Sequence, residues 1–110
     1  MTILQKRLFG PAAAVTSATD DATGRYVVPS STITIVKQIL LCNTAASAAT
    51  VRVGVGTTAT EANRIVSDLT LAANETVSFN CSLVMTAAEK LFFTASATTV
   101  TITVNGVEDI

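Results

Sequence analysis

The side chains that carry most enzyme chemistry are scarce in this 110-residue sequence, which contains no histidine. Histidine is the commonest general base near neutral pH and a frequent metal ligand, so Ser–His–Asp and Cys–His catalytic arrangements cannot form within one chain. The run Val53-Gly54-Val55-Gly56 has a glycine spacing that suggests a loop around phosphate, but Thr57 and Thr58 follow it and the lysine of such loops is missing. We expect a strand that runs into a turn there.

Acidic residues give weak support for a metal site. The pair Asp20-Asp21 could offer oxygen atoms to a calcium ion, but two adjacent carboxylates without further ligands are typical of a solvated loop. The pair Glu108-Asp109 receives the same interpretation. The sequence therefore predicts no catalytic residue, no metal ligand, no cofactor-binding residue and no cofactor.

The two cysteines, Cys42 and Cys81, lack the spacing of metal ligands. Strand alternation places Cys81 on the inward side of its strand and Cys42 on the outward side, so their sulfur atoms point in different directions. No secretory signal is evident at the start of the sequence, which favours a reducing compartment. We expect both thiols to be reduced and buried.

Composition indicates a single folded domain. Hydrophobic residues make up 49% of the chain, charged residues 14%, and the net charge is −1, a balance that disfavours disorder. The seven basic residues are scattered along the sequence, which gives no support for nucleic-acid binding. No stretch is long and apolar enough for a membrane span, and we expect synthesis in a bacterial cytoplasm.

Period-two alternation of apolar and polar residues begins at Arg25 and predicts six or seven short strands separated by turns. Closely spaced strands of this kind predict an all-β fold, an antiparallel β-sandwich of jelly-roll or immunoglobulin-like type. The predicted core consists of inward-facing residues of these strands, namely Val51, Val53, Phe79, Phe93, Val100, Ile102 and Val104.

Two further predictions concern which residues share a face, and a third concerns a turn. In the run 33–42 the inward residues are Ile33, Ile35, Ile39 and Leu41, and Lys37 lies among them, at the rim of the sheet with its stem buried or at an interface. The next run places Ile65, Leu69 and Leu71 together. Asn105-Gly106 is a typical turn dipeptide and predicts a turn near the end of the chain.

Residues 1–23 differ from the rest and predict an N-terminal arm and connector, followed by a sandwich domain at residues 24–110. An apolar cluster, cut off by Gly10-Pro11, opens the arm. Two interpretations are open, because the cluster either docks on a neighbouring subunit or forms the first strand of the same domain. The candidate partner-binding residues are Ile3, Leu4, Leu8, Phe9 and Lys37.

Three segments together resemble a known group of proteins: Val27 to Thr44, Leu69 to Thr76, and Lys90 to Ala97 before the last Thr/Val strand. They are similar to small bacteriophage virion proteins built on a β-sandwich, such as capsid decoration (cement) proteins and accessory proteins of heads and tails. The resemblance covers roughly residues 25 to 107. It implies self-assembly on a symmetric particle, commonly as trimers, with a terminal arm or a loop docked on the coat.

The resulting expectation is a non-enzymatic structural protein on the virion surface, which binds and reinforces the outer capsid as a decoration protein. Its expected partners are further copies of itself, as a homo-oligomer and possibly a trimer, and a major capsid or tail protein, with no nucleic acid and no membrane. A tail or neck accessory protein is the close alternative, and a host-surface or carbohydrate-binding module is a further one.

Overall fold

The computed structural model describes residues 3–14, 26–57 and 61–110. Within them the chain forms eight β-strands and one short 3-10 helix, Glu61–Asn63. No helix among these residues is long and apolar enough to cross a membrane. The strands are β1 (Ile3–Ala13), β2 (Tyr26–Val27), β3 (Ile33–Asn43), β4 (Ala49–Gly56), β5 (Arg64–Leu71), β6 (Thr76–Met85), β7 (Lys90–Ala95) and β8 (Val100–Asp109).

The strands form two antiparallel four-stranded sheets. Sheet A has the order β1-β8-β3-β6 and sheet B the order β2-β7-β4-β5. Strand β1 therefore pairs with β8, β2 with β7, β3 with β6 and β4 with β5, as in one long hairpin wound around itself. This winding is the jelly roll. The predicted antiparallel sandwich is confirmed, and the strand order selects the jelly roll over the immunoglobulin-like alternative.

The hydrophobic core lies between the two sheets. Six of the seven predicted core residues are at most 1% exposed: Val51, Val53, Phe93, Val100, Ile102 and Val104. The seventh, Phe79, packs against this core but is only half-buried, because its strand β6 lies at the edge of sheet A. Phe93 also stacks on Phe9 of β1, with ring centroids 5.7 Å apart.

A β-bulge in β3 overturns the predicted facing of its first half. Val36 pairs with Gly106 and Gln38 with the preceding residue Asn105, so Lys37 has no partner in β8. Because one extra residue reverses the alternation, Val36 and Thr34 are buried before the bulge, whereas Ile39 and Leu41 are buried after it. The prediction was wrong for Ile33, which is 46% exposed, and for the half-buried Ile35.

A second bulge, in β5, reverses the predicted facing of Ile65 in the same way. Ser67 and Asp68 together lie opposite Arg52, since Val51 pairs with Leu69 and Val53 with Val66. Asp68 takes a positive φ of 52°, and its carboxylate accepts a hydrogen bond from Arg52 Nε at 2.6 Å. Leu69 and Leu71 face the core as predicted, but Ile65 is 48% exposed and Val66 takes the inner position.

Asn105 and Gly106 do not form a turn, because both lie inside β8. A Cβ atom on Gly106 would lie 2.5 Å from the carbonyl oxygen of Ile35 and 2.8 Å from Leu8 Cδ1. Glycine is therefore required at this position by the close approach of β3 and of the Leu8 side chain. Close packing within the sheet, and not a turn, explains the glycine, so the turn prediction was wrong.

The N-terminal segment is the edge strand of sheet A. Strand β1 pairs with β8 from Ile3 opposite Asp109 to Ala13 opposite Thr101. The backbone of Ile3–Ala13 thus follows the first-strand alternative. The predicted boundary between residues 23 and 24 lies outside the described residues, and docking of β1 on a partner stays a prediction.

Both cysteines are free thiols, but their burial differs from the expectation. Cys81 is exposed, and Cys42 is half-buried on the outer face of β3. The cause at Cys81 is again the bulge, because Cys81 and Ser82 lie side by side opposite Lys37 and leave the regular alternation. Cys81 Sγ lies 3.4 Å from the carbonyl oxygen of Val36, to which it donates a weak hydrogen bond.

We predict that Phe93→Ala lowers the free energy of unfolding by about 3–5 kcal/mol, since it empties a fully buried ring position. Val84→Ala, at a side chain 59% exposed on the same fold, should cost less than about 0.5 kcal/mol. Urea unfolding followed by circular dichroism measures both. Equal costs for the two variants would contradict the described core.

Candidate functional site

A cleft of about 370 Å³ opens on the face of sheet A that points away from the core. It spans three neighbouring strands, with β8 between β1 and β3. Its lining residues are Gln5 and Lys6 of β1, Lys37 of β3, and Asn105, Gly106 and Val107 of β8. A smaller cavity of about 100 Å³, lined by Thr50, Arg52 and Thr94 to Ser96, lies on sheet B.

The bulge in β3 explains why Lys37 reaches this cleft. Lys37 was predicted on the inward side of its strand, but as the extra residue it is exposed instead, and its Nζ donates a hydrogen bond to Ser82 Oγ at 3.3 Å. The interpretation of Lys37 as a residue at the rim of the sheet is therefore wrong, because β3 has β8 on one side and β6 on the other. The structure brings Lys37 together with Gln5 and Lys6 of β1, so this predicted partner-binding residue shares a surface with the N-terminal strand.

Basic residues from two distant parts of the sequence, Lys6-Arg7 and Lys37, lie around the cleft. Arg7 is exposed and lies opposite Asn105 of β8, and Asn105 in turn lies opposite Gln38, the neighbour of Lys37 in β3. Lys6 precedes Arg7 on β1. Asn105 Nδ2 donates a hydrogen bond to Gln38 Oε1 at 3.1 Å, which ties the middle of the cleft to β3. Arg7 and Lys37 therefore supply the positive charge of this surface, since Lys6 is paired with Glu108, and the Asp109 carboxylate lies at its end. Sequence reasoning missed this cluster because only the pairing of β1, β8 and β3 creates it.

Below the cleft lies a buried polar cluster that the sequence did not reveal. Glu108 is only 4% exposed, and both of its carboxylate oxygens have partners: Lys6 Nζ at 3.1 Å and the Tyr26 hydroxyl at 2.5 Å. The Tyr26 oxygen also lies 2.8 Å from Thr34 Oγ1, and since its own proton is directed to Glu108, Thr34 is the donor. The cluster links β2 of sheet B to β1, β3 and β8 of sheet A. Glu108 is therefore not the solvated residue that was expected.

The electrostatics of this cluster suit a structural clamp. The hydrogen bond from Tyr26 is the main cause that lowers the pKa of Glu108, and Lys6 lowers it further against the opposing effect of burial. Burial, followed by the hydrogen bond to Glu108, raises the pKa of Tyr26 to about 12. A carboxylate held ionised is a weak base, and a phenol held neutral is a weak nucleophile. The pair therefore has little use in acid–base chemistry at neutral pH.

At the opposite end of β3, Asn43 performs a similar structural task. It is fully buried, and its Nδ2 donates to the carbonyl oxygens of Ser47 and Ala72 at 2.8 and 3.2 Å. Its Oδ1 accepts from the Ala45 amide at 3.1 Å. This side chain fixes the β3–β4 loop against the β5–β6 turn, so each end of the sandwich is closed by buried hydrogen bonds.

Exposed apolar residues surround the cleft at one end of sheet A. Ile3 and Ile33 both lie opposite Asp109 and are 65% and 46% exposed. Leu4 is 43% exposed but lies opposite the inward-facing Glu108, so it is beside this set and not part of it. In the adjacent row Ile35 lies between Val84, which is 59% exposed, and Val107. We call this set, together with the cleft, the outer face of sheet A.

The five predicted partner-binding residues divide into two groups. Ile3, Leu4 and Lys37 are exposed on or beside the outer face of sheet A. Leu8 and Phe9 are half-buried and pack against the core, Phe9 on Phe93. The N-terminal cluster therefore does not act as one apolar surface, because the bulge at Leu8 turns its second half inward.

Among the described residues no group of three or more His, Cys, Asp or Glu side chains lies close enough to hold a metal ion. Comparison of the chain with protein-family models finds no matching family. Searches of curated proteins and of solved structures also find no match.

The burial of Tyr26 makes a pH-dependent prediction. Its pKa is raised from 10.0 to about 12, so between these values the unfolded state loses a proton that the native state keeps. The stabilisation is thus complete below pH 10 and is lost as the pH rises toward 12. Because Tyr26 is the only tyrosine and the chain lacks tryptophan, near-ultraviolet absorbance reports its ionisation alone.

We expect the phenol of the native protein to titrate well above that of the urea-unfolded chain, with circular dichroism as the control for folding. Tyr26→Phe should remove this part of the alkaline loss of stability. Coincident titrations of folded and unfolded protein would show that Tyr26 is not held by Glu108.

Proposed function

We propose that this chain is a non-enzymatic structural subunit that docks through the outer face of sheet A on an acidic surface of a larger assembly. The observation that carries this proposal is the combination of exposed Arg7 and Lys37 with exposed Ile3 and Ile33 on one side of the sandwich. Apolar contacts flanked by charged groups are the usual composition of a protein interface.

The two kinds of residue have different tasks in such an interface. Burial of an exposed isoleucine or valine contributes roughly 1.5–3 kcal/mol when it is complete, so Ile3, Ile33 and Val84 supply affinity. Lys37 is exposed and its Nζ contacts the exposed hydroxyl group of Ser82, so its ammonium group is accessible to a partner's carboxylate. Complementary charge fixes the orientation of the partner and raises the rate of association.

The assembly that we propose is a bacteriophage particle, with the chain as a capsid decoration protein on the virion surface. Support comes from the resemblance carried by residues 27–44, 69–76 and 90–97. The jelly roll occurs in viral capsid proteins but also in lectins and enzymes, so the fold by itself does not decide the function. The proposed partners are further copies of the chain and a major capsid protein, while a tail or neck accessory protein would use the same docking surface on a tail protein.

A carbohydrate-binding function has less support. Sugar-binding sandwiches usually present an exposed aromatic ring, and the five aromatic residues of this sequence all lie in described segments. Tyr26, Phe92 and Phe93 are buried, and Phe9 and Phe79 are half-buried against the core. No aromatic platform is therefore available on the described surface.

The proposal predicts that the chain co-sediments with intact phage particles from a lysate of the bacterium that carries this sequence, where mass spectrometry identifies it. Particles from a strain that lacks the sequence should then bind the purified chain. Lys37→Glu reverses a charge on the docking surface and should weaken this binding about ten-fold or more, about 1.4 kcal/mol. Lys90→Glu makes the same change on sheet B and should bind as the wild type does.

Ile3→Ser tests the apolar part of the same surface, since this exposed side chain can change without loss of core packing. We expect weaker particle binding at unchanged stability. Absence of the chain from purified particles, or equal binding by Lys37→Glu and Lys90→Glu, would contradict the proposed function.

A further inference from the structure

We infer that strand β6 is a self-association edge, through which two copies of the chain pair antiparallel about a two-fold axis and join their A sheets into one eight-stranded sheet. The occupant of this edge is a second copy of the chain. The inference concerns the free protein in solution and does not depend on a phage particle or on the outer face of sheet A.

The first observation is that the first half of β6 lacks the protection of the other edge strands. A free edge exposes unpaired N–H and C=O groups, and proteins usually block it with charge, proline, a bulge or short length. Strand β1 carries Lys6, Arg7 and Gly10-Pro11, and β2 has only two residues. Strand β5 carries Arg64 and the bulge at Asp68. Strand β6 has ten residues without a single charge or proline.

The second observation concerns which half of β6 is suited to pairing. The irregularity opposite Lys37 involves Cys81 and Ser82, whereas residues 76–80 keep an unbroken register with β3 from Cys42 opposite Thr76 to Gln38 opposite Asn80. The bulge protects the second half of the edge. The five regular residues, Thr76–Asn80, remain as a straight hydrogen-bonding edge.

The third observation is that this segment complements itself. A two-fold axis at Ser78 places Val77 opposite Phe79 of the second copy, and Thr76 opposite Asn80. Val77 and Phe79 face the core but are only half-buried, because no strand lies beyond β6. A second β6 covers their open side, and aromatic with β-branched residues form favourable cross-strand pairs. On the outer side only neutral Thr, Ser and Asn meet, so no like charges repel.

Charge complementarity favours a second copy over a charged partner strand. A partner strand with basic or acidic residues would find no counter-charge along Thr76 to Asn80, since the Lys37 ammonium group lies at Ser82 in the irregular half of β6. The alternation of polar and apolar residues from Thr76 to Asn80 is also symmetric about Ser78, so each copy presents the same pattern to the other. A two-fold pairing predicts a dimer or another even number of copies, in contrast to the trimer that the resemblance implies.

The test is the mass of the purified protein by light scattering, together with two matched variants. Ser78→Lys places two ammonium groups opposite each other across the axis, and we expect loss of the dimer. Thr70→Lys introduces the same charge at an exposed position on β5, the edge of sheet B, and should stay dimeric. Circular dichroism verifies that both variants are folded.

A cross-link keeps the inference testable if Ser78→Lys fails to fold. In a Cys42→Ser, Cys81→Ser background, Ser78→Cys places two thiols across the axis, and glutathione disulfide should convert the protein to a covalent dimer. Thr70→Cys in the same background should stay without a cross-link. A monomer at every concentration, a trimer, or a dimer that neither Ser78 variant affects would overturn the inference. None of these outcomes bears on particle binding, which is measured separately.

Discussion

The row of β-bulges across sheet A is the constraint on which the other features of this structure depend. Leu8 in β1 and Lys37 in β3 have no partner in β8, and Lys37 faces two residues, Cys81 and Ser82, in β6. An extra residue in an antiparallel pair increases the local twist and reverses the facing of the residues that follow. Because the bulges occur at the same level of neighbouring strands, the pairing continues on both sides of them.

Three consequences follow for function. The bulge moves Lys37 to the solvent side and into the cleft with β1, which creates the basic part of the outer face of sheet A. It leaves Thr34 facing inward, where its hydroxyl meets Tyr26 beside Glu108. It also divides β6 into an irregular half and a regular half, and only the regular half is suited to pairing with another strand. The docking surface, the buried clamp and the free edge thus share one structural cause.

The sequence predicted the sandwich and most of its core because alternation is a local property of each strand, as in β8, where Val100, Ile102 and Val104 are all buried. The predicted facing was wrong at Ile33 and Ile65, because each precedes a bulge. No residue type in either strand indicates where the extra residue is inserted. Asn105-Gly106 misled in the opposite way, because a local turn signal was overridden by the close approach of β3. Lys37 drew attention as a lysine among isoleucines, but the sequence did not predict that Arg7 lies near it, because pairing of β1, β8 and β3 brings the two together.

The register around Lys37 is therefore the measurement that tests this account most directly. Cross-strand nuclear Overhauser contacts in the isotope-labelled protein should link Val36 with Gly106 and Gln38 with Asn105, and leave Lys37 without a partner in β8. Contacts that instead place Lys37 opposite Asn105 and Ile39 opposite Thr103 would show an unbroken strand. Lys37 would then face the other side of the sheet. The bulge could no longer explain the basic cleft, the buried cluster around Glu108 or the regular half of β6.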